Sequence, residues 1–205
     1  MHITKSIHRT LLAGTLLVAT AALALADFPN RNIEIIHPWG PGNAMAMSQV
    51  VAKAMGEELS TDMPVISLPG AAGTKAQTTA MGKPADGYTI FDGYVAPLVL
   101  QPILGNADWN YKDFKPLSAA VANAFSIAGQ VDETRWSNFE EMMAYCQSNR
   151  GELRYSSGSR NNLPHMVIAK ALKGFDCVAQ NVPYTQDGNV FKDLGSKVLD
   201  FAFIN

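Results

Sequence analysis

Histidine and cysteine are scarce in this chain of 205 residues, at four and two, and that scarcity removes whole classes of chemistry. His2 and His8 lie in the first ten residues, while His37 and His165 stand far apart, so no pair has the short spacing of a zinc motif. No Gly-x-Ser-x-Gly elbow occurs either. Basic charge is sparse: 16 Lys and Arg face 18 Asp and Glu. Phosphate-backbone binding needs clustered positive charge, which argues against a nucleic-acid partner. No apolar run reaches the roughly 20 residues that a helix needs to cross hydrocarbon.

What is present begins with an export leader. Lys5 and Arg9 precede an apolar run of 15 residues from Leu11 to Leu25, and Ala24-Leu25-Ala26 has the small-x-small form of a signal-peptidase site. Residues 1–26 are therefore expected to be a cleavable signal peptide, with a mature chain that starts at Asp27 in the periplasm. Loss of Lys5 and Arg9 leaves 14 basic against 18 acidic residues, a net charge of −4. An anion bound to such a surface must be held by local dipoles and hydrogen bonds rather than by the overall field. Cys146 and Cys177 lie in a compartment where disulfides persist, and the residues leave open a bridge or two buried thiols.

From Asp27 onward, short apolar runs alternate with helical patterns. Strands are expected at Ile33–His37, Val65–Leu68 and Tyr88–Asp92, and helices at Ala44–Leu59 and Thr74–Met81. An apolar segment follows at Ala96–Leu104, then a turn-rich link at Gly105–Lys115 that would join two lobes. Beyond it come apolar runs at Leu117–Val121 and Phe125–Gln130. A helix is expected over Asn138–Ser148, opened by Ser137 as cap with Glu140 completing a capping box. Strands at Leu153–Ser156, Val178–Val182 and Val198–Phe203 alternate with helices at Leu163–Lys173 and Gly188–Leu194. The alternation predicts βαβ units and mostly parallel sheets covered by helices.

In such sheets, ligands collect where the carboxyl ends of strands meet helix N-termini. Three loops qualify. Pro38–Asn43 offers Gly40 and Gly42 for close backbone approach, Trp39 as an apolar wall and Asn43 as a helix cap. Pro69–Lys75, PGAAGTK, fails as a nucleotide loop because the spacing is wrong and Thr74 precedes Lys75. Ser156–Asn162, SSGSRNN, concentrates hydroxyls and amides ahead of a helix carrying His165. The residues leave open whether Arg160 pairs with a carboxylate or is merely solvated, and whether His165 touches ligand or bonds locally. Ser157, His165 and Asp187 can be drawn as a hydrolytic triad, with no geometric support from the sequence.

Five motifs in order along the chain, HPWGPGNA at His37–Ala44, PGAAG at Pro69–Gly73, ADGYTI at Ala85–Ile90, KDFKPL at Lys112–Leu117 and NVPY at Asn181–Tyr184, resemble the periplasmic receptors of tripartite tricarboxylate transporters, the Bug-type family. The resemblance implies a two-lobed α/β periplasmic binding protein of type II with mostly parallel sheets. It would have a first lobe at 27–111 and a second at 112–205, and its C-terminal part would be missing from this chain. It further implies capture of a small di- or tricarboxylate, delivery to membrane permease subunits, no chemistry and no cofactor or metal. Alternatives are a sensor that presents the bound acid to a signalling partner and a hydrolase built on Ser157 and His165.

Carried over by position, Trp39, Pro41, Gly42, Asn43 and Ala44 match the first-lobe clamp, and Ser157, Gly158, Ser159 and His165 match the second-lobe one. Tyr184 and Thr185 would complete the pocket. The chain departs from the family pattern at Asn43, where a second Gly is usual, at Ala46, where an Asp is usual, at Trp39, where Phe is usual, and at Arg160, where small residues are common.

Overall fold

The computed structural model describes residues 28–205, so the signal-peptide expectation lies outside the described residues. Ile33, Ile35 and Ile36 are all within 6 % of full burial, although successive strand residues point to opposite faces. A strand apolar on both faces belongs at the centre of a parallel sheet. Accordingly β1 (Glu34–His37) lies between β2 (Val65–Ser67) and β3 (Thr89–Phe91), parallel to both. The helix α1 (Asn43–Leu59) and the helix α2 (Thr74–Met81) connect these strands. Alanines at the contacts let the helices approach closely: Ala44 and Ala52 of α1 and Ala76 of α2 are buried. The first core joins Ile33, Ile35, Ala52 and Met63.

Between β2 and α2, four consecutive residues, Gly70, Ala71, Ala72 and Gly73, have positive φ of 137°, 48°, 50° and 92°. A non-glycine residue there costs roughly 1–2 kcal/mol. The turn is closed by hydrogen bonds from the Gly73 N–H to the Gly70 carbonyl (2.9 Å) and from the Thr74 hydroxyl to the Ala71 carbonyl (3.0 Å). After β3 a π-type turn (Ala96–Leu100) runs into α3 (Gln101–Ile103). The link then passes a short 3-10 turn at Tyr111–Asp113, capped by the Asn110 side chain.

The second sheet has the order β4 (Ser126–Gly129), β7 (Phe201–Ile204), β5 (Arg154–Ser156), β6 (Gln180–Asn181). β5 pairs with both β6 and β7 in parallel, and β4 runs antiparallel to β7. β7 is central, with Phe201 and Ala202 fully buried. α4 (Phe139–Ser148) and α5 (Leu163–Gly174) cover one core, in which the Tyr155 and Phe201 rings stack at 5.2 Å and an interplanar angle of 6°. α6 (Asp187–Gly195) packs Val190 and Leu194 onto Leu199, Ala202 and Ile204 in another. The run at 117–121 forms no strand and is exposed.

One expected cap moves by one residue. Asn138, not Ser137, caps α4: its side chain accepts the Glu141 N–H at 2.9 Å, and Glu141, not Glu140, reaches back to the Ser137 N–H at 2.7 Å. The residue that leaves the helical conformation decides the cap, and Asn138 has φ −151°.

At the amino end of β7 a polar knot ties the second lobe. Arg135 donates twice to Glu133, at 2.9 and 2.7 Å, and once to Asp200 at 2.8 Å, while its guanidinium lies 4.3 Å over the Trp136 ring. Those hydrogen bonds from Arg135 hold the Glu133 carboxyl down to about 2. Cys146 of α4 and Cys177 after α5 form a disulfide with Cα atoms 5.3 Å apart. It closes a separation of 31 residues, for which chain entropy assigns about 3–4 kcal/mol of stabilisation. Replacing both cysteines by alanine should lower the free energy of unfolding in urea by about that amount. A change below about 1 kcal/mol would show that the bridge constrains the unfolded chain little.

Candidate functional site

Each lobe's parallel strands deliver their loops to the sheet's carboxyl end. In the first lobe β1 ends at His37, Pro38 and Gly40 are buried, Trp39 is half-buried, and the Trp39 carbonyl accepts the Ser67 hydroxyl at 2.7 Å. α1 then starts at Asn43 with Gly42 as its N-cap, and no side chain caps it. The expectation that Asn43 caps α1 is therefore corrected. Asn43 is already helical, and a cap must have non-helical backbone for its side chain to fold over the next N–H groups. The first-turn N–H groups of α1 consequently carry the positive end of the helix with no side-chain acceptor.

Beneath this loop lies a polar cluster that the sequence did not reveal. His37 is fully buried, its Nδ1 is 2.7 Å from Asp92 Oδ2, and the same carboxylate oxygen accepts the Ser48 hydroxyl of α1. The carboxylate, an acceptor only, places the ring proton on Nδ1. The Ser48 hydroxyl also lies 3.1 Å from the Ala44 carbonyl. β1, α1 and the residue after β3 are thus joined at one oxygen. On the other side, the His37 and Trp39 rings each meet Tyr94 edge-on, at 5.8 and 5.5 Å. A histidine at the end of a strand, directly after the apolar Ile35 and Ile36, was the available signal. Its partners lie 11 and 55 residues away, which local pattern cannot connect.

In the second lobe, β5 ends at Ser156 and the loop enters α5 at Leu163. Gly158 has φ 76°, a left-handed turn that favours glycine. Its N–H reaches the Ser156 hydroxyl at 3.2 Å, and its carbonyl accepts the Tyr184 N–H at 3.1 Å. The Ser159 hydroxyl donates to the Tyr184 carbonyl at 3.2 Å. Asn162 caps α5 by accepting the His165 N–H at 2.9 Å, and its amide donates to the Ser157 carbonyl at 3.2 Å. His165 Nδ1 accepts the Asn161 N–H at 3.1 Å, which puts its ring proton on Nε2. Burial first, then the nearby Arg160 charge, push its pKa below 6.5, so the ring is neutral at pH 7.

The two sets of loops meet. A Cβ at Gly40 would sit 3.2 Å from Gln186 Cγ and 3.3 Å from the Thr185 carbonyl oxygen. Nearby, buried Gln101 donates from Nε2 to the Asn161 carbonyl at 2.8 Å and is itself held by the Asn106 amide. Trp39, Gly42 and Ala44, with exposed Pro41 and Asn43, belong to the first-lobe loop and helix start, and Ser157, Gly158, Ser159 and His165 to the second-lobe loop and helix start.

Thr185 is exposed beside Gly40, but the Tyr184 hydroxyl turns away to Asp193 at 2.5 Å, its pKa pushed up to about 12 chiefly by burial. Tyr184 joins the second-lobe core, so its backbone, not its ring polar group, serves the loops. Ser157 Oγ has Asn181 as its hydrogen-bond partner at 3.4 Å, not His165. The Asp187 side chain of the paper triad lies outside what is described.

An open groove of about 720 Å³ lies at the opposite, amino ends of β1 and β2, lined by Arg31, Gln49, Lys53, Glu57, Asp62 and Met63. Two of its cations are already spent, Arg31 on Asp86 and Lys53 on Glu57. The strand-end loops are the better candidate, since they bring two lobes together. Among the described residues no group of three His, Cys, Asp or Glu could hold a metal ion, and no helix is long and apolar enough to cross a membrane.

Residues 47–205 match the model of the tripartite tricarboxylate transporter family receptor, TctC. The chain belongs to this family. It is 27 % identical over 203 residues to a UPF0065 protein of Bordetella pertussis, covering 97 % of this chain and 62 % of that protein. A UPF0065 protein of Bordetella bronchiseptica is 34 % identical over 133 residues, 57 % of this chain and 38 % of that one.

Among solved structures, a periplasmic transporter gives a TM-score of 0.78 at 22 % identity over 86 % of this chain and 60 % of that one. MatC from Rhodopseudomonas palustris with bound malate gives 0.76 at 17 % identity over 85 % and 60 %. These likenesses establish the two-lobed periplasmic-binding-protein fold with mostly parallel sheets. The chain spans about 60 % of the length of the Bordetella pertussis relative and of these two solved structures.

Two measurements probe the framework of these loops. Asp92→Ala would remove the short-range acceptor of the buried His37 Nδ1–H and leave it only the Ser48 oxygen at 3.3 Å, which should cost about 1–3 kcal/mol in chemical denaturation. Because folding depresses the His165 pKa, His165 contributes stability that is present above pH 6.5 and lost as the pH falls below it. Glu133, lowered from 4.5 to about 2, loses its contribution only below 4.5. His165→Gln should thus flatten the melting temperature between pH 6.5 and 5 and leave the fall below pH 4.5 in place. Identical profiles in both proteins would contradict the assignment.

Proposed function

We propose that this chain is an extracytoplasmic receptor that captures a small organic carboxylate, of the di- or tricarboxylate class, between its two lobes and delivers it to the membrane permease subunits of a tripartite transporter. The lobes divide at 111/112, and the chain reaches the periplasm through the leader at residues 1–26. The observation that carries the reading is the meeting of the first-lobe loop, Gly40 foremost, with the Thr185 carbonyl and Gln186 of the second lobe. Beside that seam sits the α1 N-terminus without a side-chain cap.

Family membership supports the same conclusion, as do solved structures of the same fold that hold adipate and malate. A carboxylate at the α1 N-terminus gains about 0.3–2 kcal/mol from the helix dipole, and more where several N–H bonds align. Trp39, Pro41, Gly42, Asn43 and Ala44 form the first-lobe half of the clamp, and Ser157, Gly158, Ser159, His165 and Thr185 the second. His165 presents Nε2–H as a neutral donor, and Tyr184 positions the second loop through its backbone. Contacts that exist only when both walls touch the ligand drive closure.

Binding of malate and adipate, compared with their diamides, tests the reading. The acids should raise the melting temperature at pH 7 and the diamides should not. Equal shifts by acid and diamide, or none by any organic acid, would remove carboxylate capture. Gly40→Val adds bulk where a Cβ already lies within 3.3 Å of the second lobe. It should weaken acid binding at least tenfold while costing about 1–3 kcal/mol of stability through overpacking, with the protein still folded at about 25 °C.

A further inference from the structure

Five arginines fall among the described residues, and four are committed. Arg31, Arg135 and Arg150 form ion pairs with Asp86, Glu133 and Asp176, and Arg154 donates to the Lys197 carbonyl at 3.2 Å. Arg160 alone among them makes no hydrogen bond or ion pair, and its side chain is exposed. Its backbone is nevertheless pinned. On one side Ser159 is tied to the Tyr184 carbonyl at 3.2 Å, and on the other the Asn161 carbonyl accepts Gln101 of the first lobe at 2.8 Å. The residue therefore sits at the seam between the lobes, not on a free surface loop.

Its electrostatic neighbours are the His165 imidazole and the Tyr155 phenol, neither of which carries negative charge at pH 7. The cation thus stays uncompensated in a protein whose overall charge is negative. A guanidinium in this state matches a planar carboxylate, which it binds through two parallel N–H···O bonds.

Resting on the receptor reading above, we infer that Arg160 is a specificity-determining residue that takes the second carboxylate of a dicarboxylate whose first carboxylate lies at the α1 N-terminus. The main-chain dipoles of the first lobe recognise an acid group but do not select the rest of the molecule. Arg160 supplies that selection by rewarding a dianion over a monoanion of equal length.

The probes are adipate and hexanoate, which share a six-carbon chain and differ in the terminal carboxylate, titrated calorimetrically into the protein and into Arg160→Gln and Arg160→Lys. Arg160 is exposed and makes no internal bond, so the variants should melt with the parent. The parent should bind adipate at least tenfold more tightly than hexanoate. Arg160→Gln should bind both acids alike, at the parent's hexanoate affinity, and Arg160→Lys should restore part of the preference. The parent's preference should also shrink as salt rises from about 20 to about 300 mM.

An adipate preference retained in Arg160→Gln, an equal loss for both acids, or a parent with no preference overturns this inference and leaves the receptor reading intact. A parent that binds neither adipate nor hexanoate overturns this inference, and one that binds no organic acid, malate included, overturns the receptor reading as well.

Discussion

One carboxylate oxygen, Asp92 Oδ2, holds the site end of the first lobe together. It faces the buried His37 ring at 2.7 Å and accepts the Ser48 hydroxyl, so it links the last residue of β1, the second turn of α1 and the exit of β3. A polar group enclosed in apolar surroundings is stabilising only when its partner is in place, and stranding it costs about 1–3 kcal/mol. That penalty restricts the relative positions of the three elements and, with them, of the loop at 38–43. Ala46 offers no carboxylate on α1, and the carboxylate that supports the loop comes from β3's exit.

The second lobe reaches rigidity differently. Its loop at 157–162 satisfies many of its own polar groups: Gly158 bonds to Ser156, Asn161 to His165, His165 to Asn162, and Ser159 to Tyr184. Below it, the disulfide between Cys146 and Cys177 and the Arg135 knot fix the helices and the amino end of β7. The result is an asymmetric clamp. One wall offers a helix start without a side-chain cap and an aromatic pair, Trp39 with Tyr94. The other offers a self-capped loop whose loose end is a cation.

Much of the architecture was legible in sequence. The helix at Thr74–Met81 lies where its apolar spacing put it, and α1 and α5 differ from expectation by a residue at one end. The antiparallel β4 was not legible, because strand direction depends on which edge the chain reaches after a long link. The apolar run at 117–121 pairs with neither sheet and stays exposed, because apolar composition alone does not supply a partner edge. Caps at Gly42 and Asn138 were each misplaced by one residue because a cap is defined by backbone dihedrals, which neighbouring Ser and Asn residues share as candidates.

The site divides along the same line. By itself the sequence determined that glycine-containing loops follow strands and precede helices, because Gly, Pro and Asn interrupt apolar periodicity locally and their spacing is read directly. It also specified the family, through five short motifs in order. Only the tertiary structure decided that His37, Ser48 and Asp92 share one carboxylate and that the two cysteines face each other. It alone showed Tyr184 turning its hydroxyl away and Arg160 standing without a partner. Those facts depend on distances between residues remote in sequence, which packing sets and local pattern does not encode.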